Sequence, residues 1–169
     1  NFSLDTEFKL DSANLSKLRN FSLIKDSLTN SLSTQGTLDI SGKVSGTPKD
    51  LKFDAVKLDA TDSRLAVIGK FLKPKNVPFV ITAGGEMSDS VIKLKNSEIK
   101  LNTLTINSSG KIIIGTTNLI NLSVRSNKID LSIMSETFPS IREYNPSGRL
   151  ELLQTSLTGE LGKGQAPQI

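Results

Sequence analysis

One stretch of the chain decides the fold, because it is used twice. The first copy is LKFDAVKLDATDSRLAVIGKF, from Leu51 to Phe71, and the second is IKLKNSEIKLNTLTINSSGKI, from Ile92 to Ile112. In both copies apolar residues recur two apart, which is the period of a β-strand with one apolar face. The period of 41 residues, the separation of Gly69 from Gly110, suits two hairpins better than one. The pattern predicts a modular β-sheet.

Each copy breaks this alternation once, between Ala55 and Val56 and between Asn96 and Ser97. A slip of one residue moves every following side chain to the opposite face of a sheet. We therefore expect an irregular register at the same place in both copies. Between the copies, Gly84-Gly85 predicts a bulge or bend.

Turn residues divide the rest of the sheet into strands. Prolines cannot donate to a ladder, so the connection from Lys73 to Pro78 is expected to be irregular. We predict that the chain turns at four further places, which are Thr47–Asp50, Thr61–Arg64 (inside the first copy), Gly115–Asn118 and Ser126-Asn127.

Two helices are predicted beside the strands. An alternating strand from Phe2 to Leu10 leads to Asp11 or Ser12, either of which can cap a short helix. The apolar stripe of that helix would be Leu15, Leu18, Phe21, Ile24, Leu28 and Leu32. Prolines confine the second helix to Ser132–Tyr144, with a kink or break near Ser140.

A longer repeat relates the two helical segments. Gly148 lies 112 residues after Gly36, and Gly159 lies 113 residues after Gly46. In each case a short strand, an apolar helical stretch and a glycine-marked strand follow one another. The chain therefore holds about one and a half copies of a larger unit, which combines a helix with several strands.

Alternating strands joined by short turns predict antiparallel pairing, since parallel pairing needs a crossover at each step. A single sheet of many strands must also curl. We predict a mainly β fold: an antiparallel meander forming a curved, groove-like sheet with one or two short helices. One segment would span 1–161, followed by a flexible tail at 162–169, and both would belong to a longer protein.

The composition agrees with a sheet that has one face exposed to solvent. Hydrophobic residues make up 36% of the chain and aromatic residues only 5%, which is low for a compact body but natural for a sheet solvated on one side. Lysines alternate with the apolar residues and are interpreted as solvent-facing residues that protect strand edges. Anionic partners are the alternative interpretation. The alternating lysines are Lys52, Lys57, Lys93, Lys95 and Lys100.

Several classes of function are excluded or disfavoured. The chain has neither Cys nor His, which excludes thiol catalysis, disulfides and His-based acid–base chemistry. Asp54, Asp59 and Asp62 are candidate calcium ligands, but the alternation places Asp54 and Asp59 on the solvent-exposed face. Glu136, Glu143 and Glu151 could serve glycoside hydrolysis, but no aromatic platform for a sugar accompanies them. Dispersed lysines and a single tyrosine argue against nucleic acid. We expect no enzyme activity, cofactor or metal.

Three stretches carry a resemblance to a known family. They are Leu38–Phe53 (LDISGKVSGTPKDLKF), Ala60–Leu65 closing with Gly69-Lys70-Phe71, and Ile129–Leu131 continuing through Pro139, Gly148, Leu150 and Leu157–Gly159. These patterns resemble the AsmA-like proteins of the Gram-negative envelope, which are related to TamB and to the eukaryotic bridge-like lipid-transfer proteins.

The resemblance implies a periplasmic protein, anchored in the inner membrane by segments outside this chain. It implies a β-groove with an apolar interior that supports phospholipid movement between inner and outer membranes, or outer-membrane assembly. Phospholipids or other acyl-chain lipids would be the ligands, with envelope proteins as further partners. The family has no catalytic motif to carry over.

The candidate lipid site is the apolar face of the sheet. Burying one methylene contributes about 0.8 kcal/mol, so an open apolar groove could hold an acyl chain without a polar contact. The alternative is an ordinary core, covered by the helices or by a second sheet. A second class of function is a structural or protein-docking module that binds neighbours by strand addition. The candidate groove residues are Phe53, Leu58, Leu65, Val67, Leu94, Ile99, Ile106, Leu122 and Val124.

Overall fold

The computed structural model describes residues 2–18, 32–115, 118–152 and 154–161. These residues confirm the predicted mainly β, antiparallel fold with two short helices. The helices are α1 (Leu15–Leu18) and α2 (Leu131–Thr137), and a 3-10 helix spans Pro139–Tyr144. The strands are β1 (Leu4–Asn14), β2 (Leu32–Thr47), β3 (Asp50–Asp59), β4 (Ser63–Val67), β5 (Phe71–Lys73), β6 (Phe79–Ser88), β7 (Val91–Leu101), β8 (Leu104–Ile113), β9 (Asn118–Ser126), β10 (Ile129–Asp130), β11 (Arg149–Leu150) and β12 (Thr155–Leu161).

Eight of these strands form what we call the main sheet. Their order across it is β1, β2, β3, β6, β7, β8, β9 and β12, and every neighbouring pair is antiparallel. The sheet therefore follows the chain as a meander and is interrupted twice. The first insertion, between β3 and β6, contains β4 and β5. The second, between β9 and β12, contains β10, α2, the 3-10 helix and β11. We call α2 and the 3-10 helix together the helical segment. Within the described residues, β1 and β12 are its two edges.

The first interruption arises because β2 is 16 residues long. Its later part pairs with β3, from Asp39 opposite Asp59 onward, and its first residues pair with β4, from Gly36 opposite Ser63. The chain thus passes from β3 into β4 in the same direction along β2. The predicted turn at Thr61–Arg64 is present, since the backbone N–H of Ser63 donates to the carbonyl of Ala60 at 3.1 Å. It does not reverse the chain, because the long β2 offers pairing partners beyond the end of β3. We call residues 32–36 of β2, together with β4 and β5, the wing.

Most of the other predicted irregularities are confirmed. β2 ends at Thr47, whose Oγ1 accepts a hydrogen bond of 3.2 Å from the Asp50 backbone N–H. The chain leaves the ladders after Lys73 and re-enters them at Phe79, as the two prolines of that connection require. The register shifts between Gly84 and Gly85, and β9 ends at Ser126. Part of the predicted turn at 115–118 lies outside the described residues.

The predicted start of the first helix is wrong. Asp11 and Ser12 belong to β1, where the register shifts between Leu10 and Ala13. Ser12 has a positive φ of 54°, and its backbone N–H donates to Oδ1 of Asp39 at 2.7 Å. The polar residues therefore form a bulge in the strand instead of a helix cap. The predicted continuation through Phe21, Ile24 and Leu28, and the predicted tail at 162–169, lie outside the described residues. The last residue of the predicted stripe, Leu32, is not helical, because it begins β2.

The second helix agrees with its prediction. Asp130 caps α2: its carboxylate accepts hydrogen bonds from the backbone N–H and the hydroxyl of Ser132, at 3.0 and 2.6 Å. These bonds lower the pKa of Asp130. The helix ends before Pro139, where the 3-10 helix begins. In both halves of the longer repeat a strand, a short helix and a glycine-marked strand follow one another.

The described helices leave the main sheet largely uncovered. Of the buried apolar residues, Leu38, Ala60, Leu101 and Leu104 lie at the strand ends nearest the wing, and Ile129 lies just beyond β9. Ile120 is buried elsewhere on the sheet. Within the described parts of the chain, no helix has the length and apolar character to cross a membrane.

Candidate functional site

Register divides the main sheet into an apolar face and a polar face, since residues paired across strands point to the same side. Phe53 pairs with Val44 on one neighbouring strand and with Gly85 on the other, and Gly85 pairs with Leu94. Lys52, the preceding residue, points to the opposite side and pairs with Ser45 and Glu86. The alternation in the sequence therefore becomes two chemically distinct surfaces.

Both predicted breaks of alternation are bulges that keep this division intact. The ladder between β3 and β6 shifts between Phe53 and Val56, and the ladder between β7 and β8 shifts between Leu94 and Ser97. Ala55 lies in the first bulge and has a positive φ of 47°. Each bulge inserts one residue, so the apolar residues on both sides of it stay on the same face. The predicted repeat is therefore confirmed for the two bulges. The second strands of the two copies have different partners, because β8 pairs with β7 of its own copy, whereas β4 pairs with β2 and β5.

Rows of paired residues cross the apolar face from strand to strand, and two of these rows consist of long aliphatic side chains. The first is Leu51, Met87, Ile92, Ile112 and Ile120, and the second is Leu10, Ile40, Leu58, Ile81, Ile99 and Ile106. Such rows form ridges along the direction of the sheet's hydrogen bonds.

A row of short side chains runs beside the second ridge, and we call it the trough. It consists of Val56, Ala83, Ser97, Ser108, Val124 and Thr155. At β2 it ends at Gly42, because the ring of Phe8 in β1 lies over this glycine. The hydroxyls of Ser97 and Ser108 lie 2.5 Å apart and satisfy one another. Short side chains between longer ones leave a shallow channel across the strands. Because its two hydroxyls are hydrogen-bonded to one another, they do not need a polar partner from a bound molecule.

A fourth row, between the trough and the first ridge, alternates bulky residues with glycine. It runs Val44, Phe53, Gly85, Leu94, Gly110, Leu122 and Leu157. The Phe53 ring occupies the space above Gly85, where an added Cβ would lie 2.8 Å from Cζ of Phe53. A glycine lies opposite Phe53, Leu94 and Leu122 in this row, and the ring of Phe53 uses the space that Gly85 leaves.

No second layer covers the middle of this face within the described residues. The elements in extensive contact with β3, β6, β7, β8 and β9 are their neighbouring strands, whereas α2 contacts β5, β10 and the 3-10 helix. The apolar side chains there are accordingly half-buried, and few of them are fully enclosed.

The structure brings seven of the nine predicted residues together on the apolar face. Phe53, Leu94 and Leu122 lie in the alternating row, and Val124 lies in the trough. The remaining three, Leu58, Ile99 and Ile106, form part of the second ridge. Leu65 and Val67 lie on the wing, in β4, and not on the main sheet. All nine side chains are half-buried.

The junction between the main sheet and the wing depends on a residue that sequence reasoning missed. Lys73 is fully buried, and its Nζ donates to the backbone carbonyls of Ala60, Thr61 and Ser63 at 2.5, 2.7 and 2.6 Å. Burial lowers the pKa of Lys73, against the attraction of Asp62 and Asp59. The available signal was its position, as the last residue before a proline at the end of an apolar strand.

The helical segment is fixed to the wing by an aromatic pair. The rings of Phe71 in β5 and Phe138 after α2 have centroids 5.6 Å apart and are tilted by 52°, a geometry that aromatic rings favour. The wing and the helical segment, which are inserted at different places in the meander, are thus in contact with one another. Together they form a structured end beside the strand ends where the buried residues concentrate.

The polar face carries the predicted lysines, and all five of them are exposed. Most pair with acidic residues: Lys57 Nζ lies 3.0 Å from a carboxylate oxygen of Asp59, and Lys93 and Lys95 lie 3.7 and 3.6 Å from Glu86. Burial raises the pKa of Asp59, but hydrogen bonds from Thr61 and Lys57 outweigh it, so that the pKa is lowered overall. Exposed pairs of this kind contribute little to stability.

Among the described residues no three carboxylates cluster in a way that could hold a metal ion. Comparison of the chain with protein-family models, curated proteins and solved structures gave no match. The functional interpretation therefore depends on the geometry of the two faces.

Proposed function

We propose that this chain handles lipid without a chemical step, as part of an AsmA-like protein of the Gram-negative envelope. The observation that supports this proposal is the trough: a row of short side chains beside a ridge of long aliphatic ones, on a face whose middle no described element covers. The resemblance found in the sequence suggests the periplasm as the location and phospholipid as the ligand.

The energetics of such a site are adequate. A dozen methylenes placed on apolar surface give about 10 kcal/mol of gross transfer free energy. Ordering of the chain and incomplete burial reduce this figure substantially. A face with no polar anchor would hold an acyl chain weakly enough to let it slide, which suits transport better than storage.

Native mass spectrometry after purification without detergent tests the proposal. We expect the wild-type protein to retain phospholipid. Ala83→Leu fills the trough and should reduce the retained lipid several-fold. Thr82→Leu, the matched control, places the same side chain on the opposite face of β6, since Thr82 pairs with Lys57 and Glu98. A lipid-free wild-type mass, or equal retention in both variants, would contradict the proposal.

The open edges favour a second candidate function, a protein-docking module. Within the described residues β1 and β12 each pair with a strand on one side only, and such edges accept an added strand from a partner. A lipid-free mass, together with slowed amide exchange along β12 as protein concentration rises, would favour this function over lipid handling.

A further inference from the structure

A pocket on the polar face has the chemistry of an anion site. It has a volume of about 390 Å³ and lies where the bulge of β7 presents Lys95 and Asn96 in succession. Asn107 and Arg125, which are paired across β8 and β9, line its other side, with Ser123 and Gln154 beside them. Its charged groups are Arg125 and Lys95, of which Lys95 is already paired with Glu86 at 3.6 Å, and the rest of its lining consists of amides and hydroxyls. We call it the basic pocket.

The absence of carboxylates from its lining distinguishes the basic pocket from its neighbours on the same face. A pocket of about 380 Å³ includes Asp54, one of about 350 Å³ includes Glu160, and one of about 410 Å³ includes both Asp50 and Glu86. An anion entering any of these would meet a like charge. The basic pocket lacks that repulsion, so charge complementarity favours an anion there.

Arg125 is available for a ligand. Within the described residues its guanidinium makes no hydrogen bond and no ion pair. The acidic residue next in its row, Glu98 beyond Asn107, is engaged with Lys100 at 3.7 Å. An arginine fork binds phosphate or carboxylate oxygens through two parallel hydrogen bonds. The neighbouring amides and hydroxyls can both donate and accept, which matches the hydroxyl groups of a polyol.

We propose that the basic pocket binds a small hydroxylated anion, namely the phosphate ester of a sugar or of glycerol. Its volume is in the range of small-molecule sites. The inference rests on other side chains than the lipid proposal does: Asn107 and Arg125 alternate along β8 and β9 with the trough residues Ser108 and Val124, although Ser97 and Ser108 of the trough also line the basic pocket. The phosphate ester could come from a soluble metabolite, or from a lipid headgroup that reaches the pocket over the edge strand β12.

Titration of the ¹⁵N-labelled protein with glycerol 3-phosphate tests this inference. We expect saturable shifts in the amides around Asn107 and Arg125, and none with glycerol alone. Arg125→Gln should weaken binding about tenfold or more, because it removes a charge-assisted contact. Lys111→Gln removes one charge from the same face outside the pocket and should change affinity less than about twofold.

Vesicle flotation separates the two sources of the phosphate ester. Binding to phosphatidylglycerol vesicles that is lost in Arg125→Gln and kept in Lys111→Gln would identify the headgroup as the source. Saturable binding of glycerol 3-phosphate without vesicle binding would identify the soluble ester. An absence of saturable shifts, or equal losses in the two variants, would overturn the proposal. Neither result would bear on lipid retention at the trough.

Discussion

The ring of Phe53 lies over Gly85 on the adjacent strand, and the two residues together set the surface of the apolar face. A Cβ at Gly85 would lie 2.8 Å from Cζ of Phe53 and 2.2 Å from the carbonyl oxygen of Lys93. Both distances are shorter than van der Waals contact. The glycine is therefore required by its neighbours on both flanking strands.

Gly85→Val should destabilise the protein by about 2 kcal/mol, since it forces the ring and the β7 backbone to move. Denaturant unfolding followed by circular dichroism measures the change. Gly69→Asn is the control: nothing lies within 4 Å of a Cβ there, and asparagine tolerates a positive φ. A variant Gly85→Val as stable as Gly69→Asn would show that the ring moves freely.

The bulge at Ala55 predicts an unusual response to substitution. Its φ of 47° costs an alanine about 1 kcal/mol, and glycine relieves that cost while losing a similar amount through the flexibility of the unfolded chain. Ala55→Gly should therefore change the free energy of unfolding by less than about 0.5 kcal/mol. Ala55→Val should lower it by more than about 1 kcal/mol. Similar effects of the two substitutions would argue against a left-handed residue at this position.

Lys73→Met should destabilise the junction between the main sheet and the wing. The methionine leaves three carbonyls without the buried donor that joins them, at a cost of about 3 kcal/mol. Lys70→Met, on the exposed turn between β4 and β5, is the matched control and should be nearly neutral. Chemical denaturation of both variants measures the difference, and equal stabilities would refute the role assigned to Lys73.

The same residue gives a prediction about pH. Because burial lowers the pKa of Lys73, the unfolded chain binds more protons than the folded one between the folded pKa and the ordinary value of about 10.4. The contribution of Lys73 to the free energy of unfolding should therefore rise as pH rises through this window. Unfolding of wild type and Lys73→Met at a series of pH values isolates it. A contribution that falls as pH rises would mean that the three carbonyls around Nζ raise the pKa of Lys73 by more than burial lowers it.

The aromatic pair predicts a measurable coupling between the wing and the helical segment. A double-mutant cycle of Phe71→Ala and Phe138→Ala should give an interaction of about 1 kcal/mol. Either single variant should also increase amide exchange in α2, because the helix is short and has few other contacts. Additive effects of the two substitutions would indicate that the rings pack independently.

The sequence predicted the local features well, because they depend on neighbours along the chain. Alternation revealed the two faces, and its interruption at Ala55 and Asn96 marked both bulges. The prolines at 139 and 146 confined the second helix. In each case a steric rule acting over a few residues was sufficient.

The features that the sequence did not reveal depend on distant pairing. Thr61 and Asp62 carry ordinary turn chemistry, and only the 16-residue length of β2 makes the chain continue forward there. Asp11 and Ser12 could cap a helix, but Asp39 on the next strand engages Ser12 instead. Lys73 is one of many lysines in the sequence, and its burial depends on carbonyls 10 to 13 residues away.

The direction of the trough has a consequence for its dimensions. It crosses six strands, from Val56 in β3 to Thr155 in β12, because the ring of Phe8 lies over Gly42 in β2. At about 4.8 Å per strand it therefore extends about 24 Å. Its cross-section is determined by residues within each strand, and its length by how many strands are laid side by side. An inserted hairpin would lengthen it by about 10 Å and leave the cross-section unchanged.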